Sequence, residues 1–214
     1  MGFGENIVMV SQLIAGANES DEMVMRFQAL VFDLDGTLVD SKIDFAAMRA
    51  ELSLNKDHDV LKTIATWPKV DQVRAHEIIH RHERSGAESS TLIDGAKEFI
   101  NQARSMNIPC SVFTRNSRDT TLWSLEQHGI LCDHIVSRED LPPKPDPAGL
   151  HSIARRCNVD LSQMLFVGDY LYDLQAGLRA GVATALYLPQ PADFDTTGAT
   201  LIFKSYRELG EWLF

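Results

Sequence analysis

The chain has 214 residues, 44% hydrophobic and 23% charged, enough for a sizeable core and an inserted segment. Its 20 basic and 30 acidic side chains leave a net charge of −10, which argues against general nucleic-acid binding, because that requires basic patches on phosphate. No apolar run reaches the ~18 residues of a membrane helix, and Cys110, Cys132 and Cys157 show neither zinc nor Cys-x-x-Cys spacing, so free buried thiols in a reducing cytoplasm are expected.

Residues 1–26 read as an N-terminal extension. Its apolar stretch, Ile7 to Ala15, follows a segment without a basic residue, unlike a secretory signal. The first strand is expected over Ala29–Phe32, a continuous apolar run that ends in Asp33-Leu34-Asp35-Gly36. A helical stretch follows from Ile43 to about Ser89. Phe45, Met48, Leu52 and Leu54 form one amphipathic pattern, and Val60, Leu61, Ile64 and Trp67 a second. Pro68 opens a third helix through Val73, Ile78 and Ile79 towards Arg84. Gly86 and the small polar run to Ser90 read as terminator and linker. This stretch interrupts an otherwise alternating pattern, so residues 43–89 are expected to be an inserted helical cap, and residues 27–42 and 90–214 the core.

Alternation resumes with a helix over 96–106, a strand over 109–114, a helix over 118–128 and a short strand near 134–136. A helix over 146–157, a strand over 164–167 and a helix over 172–180 come next. Strands over 183–188 and 200–203 and a helix over 206–212 complete the chain. Strands alternating with helices predict an α/β fold with a Rossmann-like parallel sheet covered on both faces.

Several strand ends carry chemistry. Asp33 and Asp35, two apart on extended chain, point the same way, towards one pocket at the carboxyl end of a strand. Two acids there repel unless a cation or a shared proton intervenes. The strand over 109–114 ends in Thr114-Arg115-Asn116. Lys144 lies in Pro142-Pro143-Lys144-Pro145-Asp146-Pro147, too rich in proline for helix or sheet. The strand over 164–167 ends in Gly168-Asp169, with Asp173 four residues on.

In order these islands read Asp-x-Asp, Thr, Lys, Gly-Asp-x-x-x-Asp. From about Phe27 to the C-terminus the chain resembles the haloacid dehalogenase-like hydrolase superfamily, especially phosphatases of the phosphoglycolate phosphatase type. The resemblance implies phosphoryl-ester hydrolysis through an aspartyl phosphate, with Asp33 as nucleophile and Asp35 as acid and base. Thr114 and Lys144 would bind the phosphoryl group, Asn116 would follow the family habit beside Thr114 at the substrate, and Arg115 would reach either a substrate anion or solvent. Mg²⁺ would be held by Asp33, Asp169 and the Asp35 backbone carbonyl, and Asp173 would hold a metal-bound water or orient Lys144. Dehalogenating members lack an acid at the position of Asp35, so Asp35 favours phosphoryl transfer.

The expected substrate is a small phosphorylated metabolite, such as 2-phosphoglycolate or a sugar phosphate, and the protein a monomer or dimer. A phosphomutase of the β-phosphoglucomutase type and a non-catalytic binding protein on the same fold are the alternatives. In the cap, Arg49, His76, His80, Arg81, His82 and Arg84 are candidates for the substrate's distal end. His76 and His80, four apart, share a helical face that a second metal would need.

Overall fold

Alternate residues of one short strand feed two separate cores, and that fact organises the molecule. The computed structural model describes residues 27–214, Asp57 excepted, so the extension expected over 1–26 lies outside the described residues. In strand β1 (Ala29–Phe32), all four side chains are buried. Leu30 and Phe32 join the cluster on one face, with Phe99, Ile100, Val112, Val167 and Leu209. Ala29 and Val31 join the other, with Phe113, Leu150, Ile153 and Phe166. A strand covered on both faces reads as a continuous apolar run, which is why its position is legible in the sequence.

β1 is paired in parallel with β4 (Cys110–Phe113) on one side and β6 (Met164–Gly168) on the other. β5 (His134–Val136), β7 (Ala183–Tyr187) and β8 (Leu201–Phe203) extend the sheet to the order β5-β4-β1-β6-β7-β8. All five pairings are parallel. Helices α4 (Ala96–Ser105), α5 (Arg118–His128) and α8 (Tyr206–Leu213) contribute to the first cluster. Helices α6 (Ala148–Cys157) and α7 (Leu171–Ala180) contribute to the second. The fold is the expected α/β fold, a parallel sheet between helical layers.

Between β1 and α4 the chain forms α1 (Phe45–Glu51), α2 (Val60–Ile64) and α3 (Lys69–Glu88). They bury a third, smaller cluster of Met48, Leu52, Ile64, Ala75 and Ile79. Two details depart from the sequence reading. The segment leaves and returns through a two-stranded antiparallel ribbon, β2 (Val39–Asp40) with β3 (Thr91–Leu92), too short for any periodicity to register. Gly86 does not terminate α3, which runs on to Glu88. A Cβ at Gly86 would stand 2.6 Å from the Ser41 carbonyl and from the Ile43 side chain. The glycine permits close packing of helix on chain; its poor helix propensity, ~1 kcal/mol against alanine, is overridden by that contact.

The cysteines carry no disulfide. Burial pushes the Cys110 thiol up to about 12 and Cys132 up to about 11, so neither is a reactive thiolate. Among the described residues no helix is long and apolar enough to cross a membrane.

Candidate active site

Three neighbouring strand ends build the floor of one cavity. The Asp33 N–H donates to the Val167 carbonyl at 2.8 Å, so the β1–β6 ladder runs on into the acid. The Thr114 N–H donates to Val136 at 3.0 Å and extends the β4–β5 ladder in the same way. Asp169 is the residue after β6. The sheet thus sets all three side chains at the carboxyl edge, where open α/β sheets bind ligands. Gly36 closes the turn after Asp35 with φ +75°. A Cβ there would approach Asp169 Oδ2 to 2.2 Å, so both the left-handed backbone and the contact exclude a side chain.

Lys144 is a fully buried lysine, and its partners explain how. Its Nζ lies 2.6 Å from Asp33 Oδ1 and 2.6 Å from Asp173 Oδ1. Burial pushes the ammonium pKa down, but the carboxylates of Asp173 and Asp33 outweigh it and leave the pKa above its ordinary value. Asp173, in the first turn of α7, also accepts from the backbone N–H groups of Tyr170 at 3.0 Å and Asp169 at 3.2 Å. That is the favourable place for an acid on a helix dipole, and it aims the other oxygen at Lys144.

The remaining acids are less well compensated. Burial raises the Asp33 carboxyl well above its ordinary range; Lys144 opposes the rise, and Asp173 and Asp169 add to it. Asp169 accepts from Thr37 Oγ1 at 3.0 Å, yet burial and the Asp173 charge push it up to about 7. Burial also raises Asp35, against hydrogen bonds from Ser41 and from Asn116, whose Nδ2 is 2.6 Å from Asp35 Oδ2. Asn116 in turn donates its N–H to Thr114 Oγ1 at 3.1 Å.

Asp33, Asp169 and Asp173 each present one oxygen within 4.8 Å of the others. Lys144 is paired with two of these three carboxylates, and the clustered donor atoms are all oxygens. This donor set fits a hard divalent cation. The Asp35 carboxylate is not in the cluster, since it is turned to Asn116. Among the described residues no such cluster includes a histidine: His80 faces Asp119 at 3.5 Å and His82 faces Glu51 at 3.0 Å, so the shared metal considered for His76 and His80 has no ligand set.

The cavity above this floor holds about 530 Å³ and is lined by Asp33, Asp35, Thr114, Arg115, Asn116 and Asp169 from the sheet side. Its other wall is built by Ile43, Phe45, Met48, Arg49, Val60 and Leu61. Arg115 stacks over Tyr172 at 4.5 Å, donates to the Lys144 carbonyl and holds Asp59 Oδ1 at 2.6 Å. It joins the Lys144 loop to the N-cap of α2, where Asp59 accepts from the Lys62 N–H. A second crossing pair, Glu83 with Arg138, is buried on both sides. Arg81 is a different case: it pairs with Glu51 on the surface and does not line the cavity.

Asp59, Glu83 and Arg138 were not among the sequence candidates. Glu83 was findable, because Ala75, Ile79, Glu83 and Gly86 share one buried helical face. Arg138 carries no local signal, since it follows a short strand and meets its partner 55 positions away in the chain.

Comparison with known proteins extends this picture. A model of the haloacid dehalogenase-like hydrolases matches residues 27–181. A haloacid dehalogenase-like hydrolase domain-containing protein of Arabidopsis thaliana is 30% identical over 207 residues, covering 89% of this chain and 84% of the relative. An N-acetylmuramic acid 6-phosphate phosphatase of Pseudomonas putida is 31% identical over 189 residues, covering 75% of this chain and 82% of the relative. The crystal structure of a predicted phosphoglycolate phosphatase of Haemophilus somnus superposes with TM-score 0.70 at 19% identity, over 88% of this chain and 98% of its own, and shares the fold. The match to the family model over most of the chain and the resemblance to the plant relative place this protein among the haloacid dehalogenase-like hydrolases.

Proposed function

We propose that this phosphatase is a Mg²⁺-dependent phosphomonoester hydrolase that works through an aspartyl phosphate on a small metabolite. The observation that carries the reading is Lys144, held 2.6 Å from Asp33 on the floor of a cavity that Asp35, Thr114 and Asp169 also line. Relatives named as phosphatases of phosphorylated small molecules support the substrate class.

Asp33 is the group that attacks phosphorus. Its carboxylate is fixed by the Leu34 N–H at 2.7 Å and by Lys144, so it meets an incoming phosphoryl group with little reorganisation. Lys144 and the Thr114 hydroxyl neutralise and orient phosphoryl oxygens. Asp35 protonates the leaving alcohol and later takes a proton from the water that cleaves the acyl phosphate. Burial raises the pKa of its carboxyl, the direction that favours a group carrying a proton. Asn116 orients Asp35. Asp33, Asp169 and the Asp35 carbonyl would hold Mg²⁺, which supplies charge neutralisation at the phosphoryl oxygens. Asp173 orients Lys144 and borders the metal.

In the same reading residues 27–42 and 90–214 act as the catalytic core, and residues 43–89 as a cap that covers the leaving group and excludes water. The test is release of inorganic phosphate from a panel of phosphate monoesters, with Mg²⁺ and with EDTA. Turnover restored by Mg²⁺ after chelation supports the proposal. Full activity after exhaustive chelation rejects the metal, and transfer of phosphate to a second sugar hydroxyl instead of water would make the protein a mutase.

A further inference from the structure

Most charged side chains that line the cavity have a partner of their own, and the exception among its cations stands on the cap side. Asp40 is paired with Lys42, Asp59 with Arg115 and Glu83 with Arg138. Asp33 is paired with Lys144, Asp35 is held by Asn116 and Asp169 by Thr37. Arg49 alone among the cavity's cations has no carboxylate within 4.0 Å among the described residues. Among the described residues its guanidinium makes one hydrogen bond, a long one from Nη2 to the His58 carbonyl at 3.4 Å, and its Nε is buried without a partner. A guanidinium placed this way has lost part of its hydration and gained no anion in return. That state is costly in a protein unless a ligand completes it. Beside it Phe45, Val60 and Leu61 form an apolar wall, and Phe45, at 52% exposure, is unusually open for a residue on an amphipathic helix.

From this we infer, resting on the phosphatase reading, that the preferred substrate is a phosphate monoester whose alcohol carries a second oxyanion, which Arg49 binds. The planar guanidinium suits two oxygens of one anionic group, and the wall accommodates the carbon skeleton between the two anions. Carboxylate and phosphoryl oxygens share this chemistry, and matched esters separate them.

The experiment compares kcat/KM for 3-phosphoglycerate with glycerol 3-phosphate, and for fructose 1,6-bisphosphate with fructose 1-phosphate, in wild type, Arg49→Gln and Arg49→Lys. In wild type at least one ester with a second anionic group should exceed its partner without one by ~10-fold or more, and the pair that shows the preference identifies the oxyanion. Arg49→Gln should bring that ratio to within about threefold of one, chiefly through KM, while Arg49→Lys keeps part of the preference. Equal turnover of the esters with and without the second anionic group in wild type overturns the inference without any variant, and so does an unchanged ratio in folded Arg49→Gln. These outcomes leave the phosphatase reading standing. Failure of wild type to hydrolyse any ester in the presence of Mg²⁺ overturns that reading, and the inference with it.

Discussion

The floor and the roof of the cavity solve the same problem, a buried charge, in different ways. On the floor, Lys144 sits between two carboxylates, each of which also accepts from a backbone N–H, and all of them stand on or beside strand ends of one parallel sheet. On the roof, single pairs reach across from helices to the sheet side: Asp59 to Arg115 and Glu83 to Arg138. On the floor one cation answers two carboxylates at once, whereas on the roof each cation answers a single carboxylate of the cap; in both places the partners lie far apart in the chain. The difference matches the proposed division of labour, in which one set of atoms performs a fixed chemistry and the other adapts to the leaving group.

The strongest test of the floor is removal of the attacking charge. Asp33→Asn preserves shape and should lower kcat by ~10⁴-fold, because among the described residues no other carboxylate both pairs with Lys144 and lines the cavity. Steady-state phosphate release measures this, and residual turnover within tenfold of wild type would remove Asp33 from its role.

Exchange of the metal comes next. Ca²⁺ takes more ligands at longer distances than Mg²⁺, so it should bind the same carboxylates yet support activity at least ~10²-fold lower. Equal rates with the two ions would mean that the cluster of Asp33, Asp169 and Asp173 does not set the geometry of the reacting group.

Lys144→Met separates structure from catalysis on the floor. It leaves Asp33 and Asp173 buried without their shared cation, and breaking a buried pair costs ~3–5 kcal/mol. Denaturant unfolding should show that loss, and any folded protein should retain no more than ~1% of wild-type activity. A fully stable variant would contradict the assigned pairing.

The roof should respond to pH where the floor does not reveal itself. Burial raises Glu83 from 4.5 to about 7, against the pull of Arg138 and the Ser117 N–H. A carboxyl with a folded pKa above its unfolded one binds more protons in the folded state between those two values. Its contribution to stability is therefore complete below about pH 4.5 and is lost as the pH rises towards 7. Relative to Glu83→Gln, wild type should lose stability across this window with a slope of at most ~1.4 kcal/mol per pH unit. Parallel stability curves for the two proteins would show that the pair is ionised throughout.

Much of this arrangement was legible from residues alone, and the reason is local. Strands buried on both faces leave largely apolar runs, so β1, β4 and β6 lie within a residue of their expected limits, and the half-buried edge strand β5 does so too. Each polar residue that ends such a run is forced to the sheet's carboxyl edge, which places Asp33, Thr114 and Asp169 together before any contact is known. In α5 the Ser117 cap and the left-handed Gly129 bracket the span expected over 118–128.

What escaped the sequence reading is what depends on distant partners. Propensity assigned Gly86 to a helix end, and only the close approach of Ser41 and Ile43 shows why the helix continues through it. Arg49 and Arg81 looked alike as cationic residues of the cap; tertiary structure gave Arg81 to Glu51 at the surface and left Arg49 in the cavity wall with no carboxylate partner among the described residues. Arg115 was ambiguous until folding brought it to Asp59 and Tyr172. By itself the sequence determined the fold class, the order of the strand ends and the identity of the acids, because periodicity and local turn chemistry act over a few residues. Only the tertiary structure decided which charges are paired and which is free to bind, because a charge's energy is set by every neighbour within a few ångströms, whatever its distance along the chain.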